Sequence, residues 1–462
     1  MSTEARRNMA RLARMLALLG MGALAIIVLG SAAATITGDA PPTTGEWVVN
    51  SATTVTGETV YVDGNLTVNG NLVISDSTVV MNVSAPWEYL IEVTASGRVT
   101  ATDTTFSSNH TTAGYGFHVR GRVDLARCRV TGTEDGLRIL TDGTQTIAST
   151  TIDDFHLCGL YLENANGTLV TDLVIQSDRY EALVTIDATV RESGKHEYFG
   201  IPDNSPLHIN GGAPSITGPT MSVNGTTSET GTFHFYATKT SANHLRPFGV
   251  LMLVETDQVL TLSDVLIRDS AMDFVSHYYV YVHTILESGR HTLANNYYVC
   301  PILLHDSAGV TFSDAEVRDV RIGFTDMQAT TDGTVINVNQ VNVGAWAITA
   351  LTTDVIDDTT ERAMSLRVVD STFLRIGAIY VYMSSIGLDE NRTRVALDLD
   401  VDNLHIEECP VAGAINVDNA VAYKKDMEAR FEISITNSTF TANANALVDI
   451  LLTNNPALYR DG

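Results

Sequence analysis

The stretch Val368–Tyr382, VVDSTFLRIGAIYVY, opens with a phrase that the chain repeats. It returns as ITNSTF at Ile435–Phe440 and as ATDTTF at Ala101–Phe106. Aligned on the first polar residue, the copies begin at Asp76, Asp103, Arg127, Ser149, Asp172, Asp264, Asp314, Gln340, Asp370, Asn403 and Asn437. Most of these are Asp or Asn. The residue three places on is apolar every time, from Val79 and Phe106 through Val343 and Phe373 to Phe440. Period-two alternation runs into the phrase, as in QVLTLS (Gln258–Ser263) and FEISIT (Phe431–Thr436). A second alternating run follows it, as at Phe117–Val119, Leu137–Ile139, Leu160–Leu162 and Ile379–Val381. Such alternation reads as half-buried strand. An Asp or Asn at the strand end bonds its own backbone and turns the chain, and the third residue points back to the core. The phrase is therefore a corner between two strands.

Spacing decides how the corners combine. Early copies stand 22–27 residues apart and the last intervals are 30–34. Short strands at that period, with no helical pattern, predict an all-β solenoid whose coils stack strand on equivalent strand. The repeat and the strand–corner–strand coil resemble the right-handed parallel β-helix proteins of the pectate-lyase-like superfamily, particularly the repeat-containing surface proteins of archaea. The resemblance covers about residue 60 onward and concerns fold far more than chemistry. It implies an exported protein. Enzymes of that family cut or epimerise acidic polysaccharides with clustered carboxylates, a basic residue and often Ca²⁺.

The N-terminus carries an export address. Arg6, Arg7, Arg11 and Arg14 precede the apolar run Met15–Gly30, and small residues follow at Ser31–Ala34. This order makes 1–34 a signal peptide, or an uncleaved membrane anchor. The expected division continues with a cap or linker at 35–60 and coils over 61–189. An insertion follows at 190–249, with room for one degenerate coil around Leu207–Val223. Further coils run over 250–462, with a hairpin insertion at 278–299. Three late coils carry charged turns at Ile356–Arg362, Asp389–Thr393 and Lys424–Ala429. An outside location suits the sequons at Asn65, Asn82, Asn109, Asn166, Asn224, Asn391 and Asn437 as glycosylation candidates.

Of 462 residues 54 are acidic and 28 basic, a formal charge of −26. A surface so acidic opposes nonspecific nucleic-acid binding, and it opposes a polyuronate unless metal or local arginines compensate. Local arginines do occur in VRGRVDLARCRVTGTEDGLRI (Val119–Ile139). If Phe117, Leu137 and Leu160 begin equivalent strands, then His118, Arg138 and Tyr161 stack as an outward ladder, with Arg120 two residues along. Asp153, Asp154 and His156 follow in a nearby turn. These six, His118, Arg120, Arg138, Asp153, Asp154 and His156, are the candidate set if the protein is a polysaccharide lyase or epimerase.

A binding role has its own candidates. Eight of the twelve histidines lie between His196 and His305, among many tyrosines. Tyr161, Tyr278, Tyr279 and Tyr281 are the expected sugar-stacking rings, with cell-envelope polysaccharide or other surface proteins as partners. No cofactor and no metal-ligand set is expected. Asp398, Asp400 and Asp402 share one strand face about 6.8 Å apart, too far for one ion without a second coil, so Ca²⁺ is the one metal the pattern leaves open. The preferred reading is an exported cell-surface β-helix with a structural or binding role.

Overall fold

The computed structural model describes residues 34–451, apart from 192–194, 237–241, 284–290, 306, 308, 332–335, 353–360, 386–393, 410–414, 422–427 and 442–447. The expected signal or anchor at 1–34 lies almost wholly outside the described residues. Among them no helix is long and apolar enough to cross a membrane.

All regular structure described is strand, in three sheets of 13, 15 and 14 strands. Each early coil gives one strand to each sheet. Asn71–Ser75 lies in the first sheet, Thr78–Met81 in the second and Leu90–Val93 in the third; the next coil repeats this with Arg98–Thr102, Thr105–Ser108 and Tyr115–Val119. The strands pair in parallel, except Thr35–Thr37, which runs antiparallel against Thr53–Thr56 and covers the first edge. Coiling starts before the expected boundary at 61, with Trp47–Val49 already in the third sheet.

The Asp/Asn phrase is the corner between the first and second sheets. Asp76, Asp103, Arg127, Ser149, Asp172, Asp264, Asp314, Asp370, Asn403 and Asn437 all have φ between 48° and 55°. That left-handed conformation costs most L-residues about 1–2 kcal/mol and costs Asp and Asn least. It lets the ladder of hydrogen bonds turn without a break: the N–H of Asp76 donates to Thr102 O at 3.1 Å and that of Asp264 to Ser313 O at 2.9 Å. Many of the residues that follow point inward with a hydroxyl that donates back across the corner. Ser77 reaches Ser75 O at 2.7 Å, Thr104 reaches Thr102 O at 2.9 Å and Ser371 reaches Val369 O at 2.8 Å. The apolar third residues then form one register column, in which Val79, Phe106, Val130, Ile152 and Ile175 are almost wholly buried.

Two corners escape the pattern because glycine fills them: Gly57 (φ 66°) and Gly218 (φ 71°). Gly218 accounts for the long gap after Asp172, where Leu207–Asn210, Ser215–Thr217 and Thr220–Phe235 supply a full coil. The copy at Gln340 is a correction. Gln340 lies inside the strand Ile336–Thr352, beside Asn295, and turns no corner.

The interruptions are not loose insertions. Between about residues 174 and 352 the coils lengthen at the corner joining the second and third sheets. Val174–Thr185, Thr220–Phe235, Ser270–Val282 and Val320–Thr331 stack in parallel as one layer. Lys195–Gly200, Ala242–Glu255, His291–His305 and Ile336–Thr352 stack as another. The two arms expected to pair as a hairpin at 278–299 thus lie in different sheets, each bonded to neighbouring coils. A second core of Val184, Ile186, Val190, Phe233, Phe235, Tyr278 and Val280 fills the space between the layers. The result is a flange built by the same stacking as the body. The late coils lengthen too, through Glu361–Val369, Arg394–Asp402 and Glu428–Thr436, while their charged tips fall largely outside the described residues. All four cysteines are buried, and none is joined in a disulfide.

Candidate functional site

Register places His118, Arg138 and Tyr161 side by side on the outer face of the third sheet, in that order, with His208 next. What joins them is a residue that sequence reasoning passed over. Asp135, buried at the irregular start of the third-sheet strand Thr133–Ile139, accepts from His118 Nε2 at 2.8 Å and from Arg138 Nη1 at 3.4 Å through the same Oδ2. Its Oδ1 and the Arg138 Nε are buried with no hydrogen-bond partner among the described residues. The Arg138 guanidinium lies 4.3 Å over the Tyr161 ring, whose hydroxyl accepts from Asn210 Nδ2 at 2.8 Å. The His208 ring meets Tyr161 edge-on at 4.9 Å. Further along, Glu255 bridges His208 Nε2 at 2.9 Å and His305 Nδ1 at 2.7 Å. Burial pushes the Glu255 carboxyl up, but the hydrogen bonds and charges of the two imidazoles outweigh it and hold it at about 2.

Arg120 stays beside this stripe, because its partner Glu92 lies in register next to His118, and the remaining candidates for catalysis stand apart from it. Arg120 pairs with Glu92 at 3.6 Å. Asp153 lies on the second sheet, gripped by Arg129 at 2.6 Å, and Asp154 pairs with Arg179 at 3.4 Å. Both aspartates line a shallow polar pocket with Gln176, Asp178 and Ser222. His156 sits between Glu134 (3.1 Å) and Glu181 (3.2 Å), and Glu181 also accepts from Ser228 at 2.7 Å. The six residues thus divide among separate ion-pair clusters. Adjacent corners in sequence lead to different faces of a coil.

The tyrosines divide by the period of the strand. Tyr278 is wholly buried in the flange core, edge-on to Phe233 at 5.6 Å, and offers no ring to a ligand, contrary to expectation. Tyr279 and Tyr281 point outward, 47% and 40% exposed, as does Tyr236 at 39%. Imidazoles interleave them: His234 stacks on Tyr281 at 5.0 Å, His283 on Tyr236 at 4.3 Å, and His277 tilts against Tyr279 at 4.9 Å. Arg191 caps the row, 4.8 Å over the Tyr236 ring. Sequence reasoning placed His234, Tyr236 and His283 in a general aromatic region without choosing them. The alternation in Phe233–Tyr236 and His277–His283 was the available signal.

Six sequon asparagines are exposed, and Asn391 lies outside the described residues. Several hold neighbours, as Asn224 does Asp178 at 2.7 Å. Among the described residues no three His, Cys, Asp or Glu side chains form a metal-ligand group. Asp400 pairs with Arg367 at 3.1 Å, and Asp402 accepts from Thr436 and Asn437 at 2.8 Å. The hydrogen bonds from Asn437 and Thr436 hold the Asp402 carboxyl below its usual range.

Fold and faces together define a three-sheet parallel β-solenoid with a stacked flange. No family model matches the chain, and neither does any curated protein. A solved structure of PfbA, a surface adhesin of Streptococcus pneumoniae, aligns over 86% of this chain and 85% of its own at 10% identity, with a TM-score of 0.18. Likeness at that level carries no argument about role.

Proposed function

We propose that this chain is an exported, surface-displayed β-solenoid of the right-handed kind its repeat resembles, and that it binds glycan without cutting it. The observation that carries this reading is the row of three half-exposed tyrosines, Tyr236, Tyr279 and Tyr281, on one flange face. Exposed rings in a fixed row are costly to leave in water and suit the apolar faces of successive sugar rings. Their imidazole neighbours add hydrogen-bonding nitrogens between the rings. The export address at 1–34 and the sequons support an outside location, with the N-terminal segment as the membrane contact if it stays uncleaved. Ca²⁺ belongs to this reading only as a structural ion.

The test is retention on cell-envelope polysaccharide. Tyr279→Ala and Tyr281→Ala should each weaken binding by roughly five- to thirtyfold, the loss of about 1–2 kcal/mol common for a tyrosine anchor. Equal retention by both variants and wild type would overturn the reading.

A second reading, lyase or epimerase, rests on the buried Asp135 shared by His118 and Arg138, which orients a base and a cation on one face. Incubation with alginate and pectate in Ca²⁺ buffer separates the two. Unsaturated or epimerised uronate that disappears in Arg138→Ala would favour the enzyme.

A further inference from the structure

We infer that the glycan on the flange face is a mostly neutral chain bearing an anionic substituent, a carboxylate, sulfate or phosphate, which Arg191 receives at one end of the tyrosine row. The inference rests on the proposed glycan-binding role and names the chemical class of its ligand. Among the described residues, arginine after arginine is engaged by a carboxylate. Arg98 meets Asp124 at 2.8 Å, Arg127 meets Asp103 at 2.7 Å and Arg367 meets Asp400 at 3.1 Å. Arg191 is exposed and has no carboxylate partner among the described residues; its guanidinium lies 4.8 Å over the Tyr236 ring. A cation–π contact leaves the N–H donors of the group free, in a fork that suits two oxygens of one anion.

Register sets what stands around it. Thr189 pairs with His234, and His234 with Tyr281. The N–H of Tyr236 donates to Val190 O and that of His283 to Phe235 O, both at 2.8 Å, so Arg191, Tyr236 and His283 share the column at the strand ends. Nδ1 of His234 and Nε2 of His283 share a hydrogen bond of 2.9 Å, one donating and the other accepting. That bond occupies their facing nitrogens and leaves an anion at this end to Arg191. Charge changes sign along the row. Tyr279 is in register with Thr232, whose N–H donates to the exposed Asp187 at 2.6 Å. The Asp187 carboxylate therefore stands at the Tyr279 end, about 13 Å along the strand from the Arg191 end. Asp273, also exposed, lies further along the strand that carries Tyr279. Thirteen or so ångströms exceeds the Debye length of about 8 Å in physiological salt, so the two ends act on different sugars. A sugar over Tyr236 is favoured anionic and one over Tyr279 neutral. A chain with a carboxylate on every ring would meet Asp187 without a compensating cation.

The experiment uses the full chain and cell-envelope polysaccharide in four forms: untreated, carboxyl-reduced, desulfated and dephosphorylated. Arg191→Gln should bind the untreated form about tenfold more weakly than wild type, the loss of one charge-assisted hydrogen bond. Its melting temperature should not change, because the side chain is exposed. One of the treatments should weaken wild-type binding by a similar factor, and on that form wild type and Arg191→Gln should be equal; the effective treatment identifies the anion. Polygalacturonate should bind wild type more weakly than the untreated polysaccharide does, and tighter binding would overturn the mostly neutral chain. Tyr281→Ala, run alongside, keeps the two readings apart. If Tyr281→Ala loses binding while Arg191→Gln binds as wild type does, the glycan role stands and the anionic class is overturned. If neither variant loses binding, both fall.

Discussion

Asp135 Oδ2 and His118 Nε2 stand 2.8 Å apart although they lie 17 positions apart in sequence, because one turn of the solenoid pairs the strand Thr133–Ile139 with Tyr115–Val119 of the coil before. The same carboxylate oxygen holds Arg138. Asp135 is buried while its partners are partly exposed, so its loss strands two groups and exposes little. Asp135→Ala should lower unfolding stability by about 1–3 kcal/mol, and Arg138→Ala by less. Urea denaturation of the three proteins checks the order, and a larger loss for Arg138→Ala would show that the carboxylate is not the hub.

Glu229 gives the flange a pH dependence. Its carboxyl is buried beside Ser276, whose hydroxyl donates to Oε2 at 2.7 Å, and Oε1 has no partner among the described residues. Burial raises its pKa from 4.5 to about 7, against the lowering effect of hydrogen bonds from Tyr278 and Ser276. The folded chain therefore keeps a proton between pH 4.5 and 7 that the unfolded chain releases. Stability from this group is full below about pH 4.5 and falls as pH rises towards 7, by on the order of 3 kcal/mol. Hydrogen exchange over Thr227–Phe235, corrected for intrinsic chemistry, should show the flange opening more readily at pH 8 than at pH 5. Glu229→Gln should remove that difference.

The corner rule predicts opposite outcomes for two substitutions at one position. Asp264 has φ 54°, and its N–H continues the ladder to Ser313 O. Asp264→Gly should change stability little, since glycine already serves at Gly57 and Gly218. Asp264→Val, forced into the same conformation with a branched Cβ, should cost about 1–2 kcal/mol. Thermal melts of the two variants decide it, and equal melting temperatures would refute the rule.

How much of this was legible in the sequence depended on the range of the signal. The corner is local chemistry, four residues long, and Asp76 or Asp370 announces it wherever it recurs. Gly57 and Gly218 turn the same corner by lacking a Cβ, and a search for polar residues passes over them. Gln340 shows the converse, a polar residue before an apolar one inside an unbroken strand. The ladder of His118, Arg138 and Tyr161 followed from the coil period alone. Asp135 did not, because it sits where the register of the strand Thr133–Ile139 shifts, and the period-two pattern does not say which way its side chain turns. The flange was hidden for a related reason: its arms pair with equivalents about 50 residues away, as His234 does with Tyr281 across 47 positions, and not with each other.

Burial raises the thiol pKa of Cys158 and Cys300 far above the usual cysteine range, so neither should react in the folded protein. A thiol reagent added at pH 8 should be consumed only on unfolding, with four equivalents appearing without reductant. Fewer than four would mean that a disulfide joins two of Cys128, Cys158, Cys300 and Cys409.

Tyr278 and Tyr279, adjacent in sequence, should separate stability from binding. Tyr278 is enclosed by Phe233 and the rest of the flange core, so Tyr278→Ala leaves a cavity the stacked layers cannot close and should cost about 3–5 kcal/mol. Tyr279 points the other way, nearly half exposed and touching His277, so Tyr279→Ala should alter stability by under about 1 kcal/mol. If the flange face binds glycan, Tyr279→Ala loses affinity with its melting curve intact. Tyr278→Phe keeps the ring in the core and removes only the hydroxyl beside Glu229, so it should retain glycan binding while making the flange less stable at pH 8. Melting and polysaccharide retention measured on the same preparations distinguish the cases. A Tyr279→Ala protein that melts as early as Tyr278→Ala would show that the outward row is structural and not a binding surface.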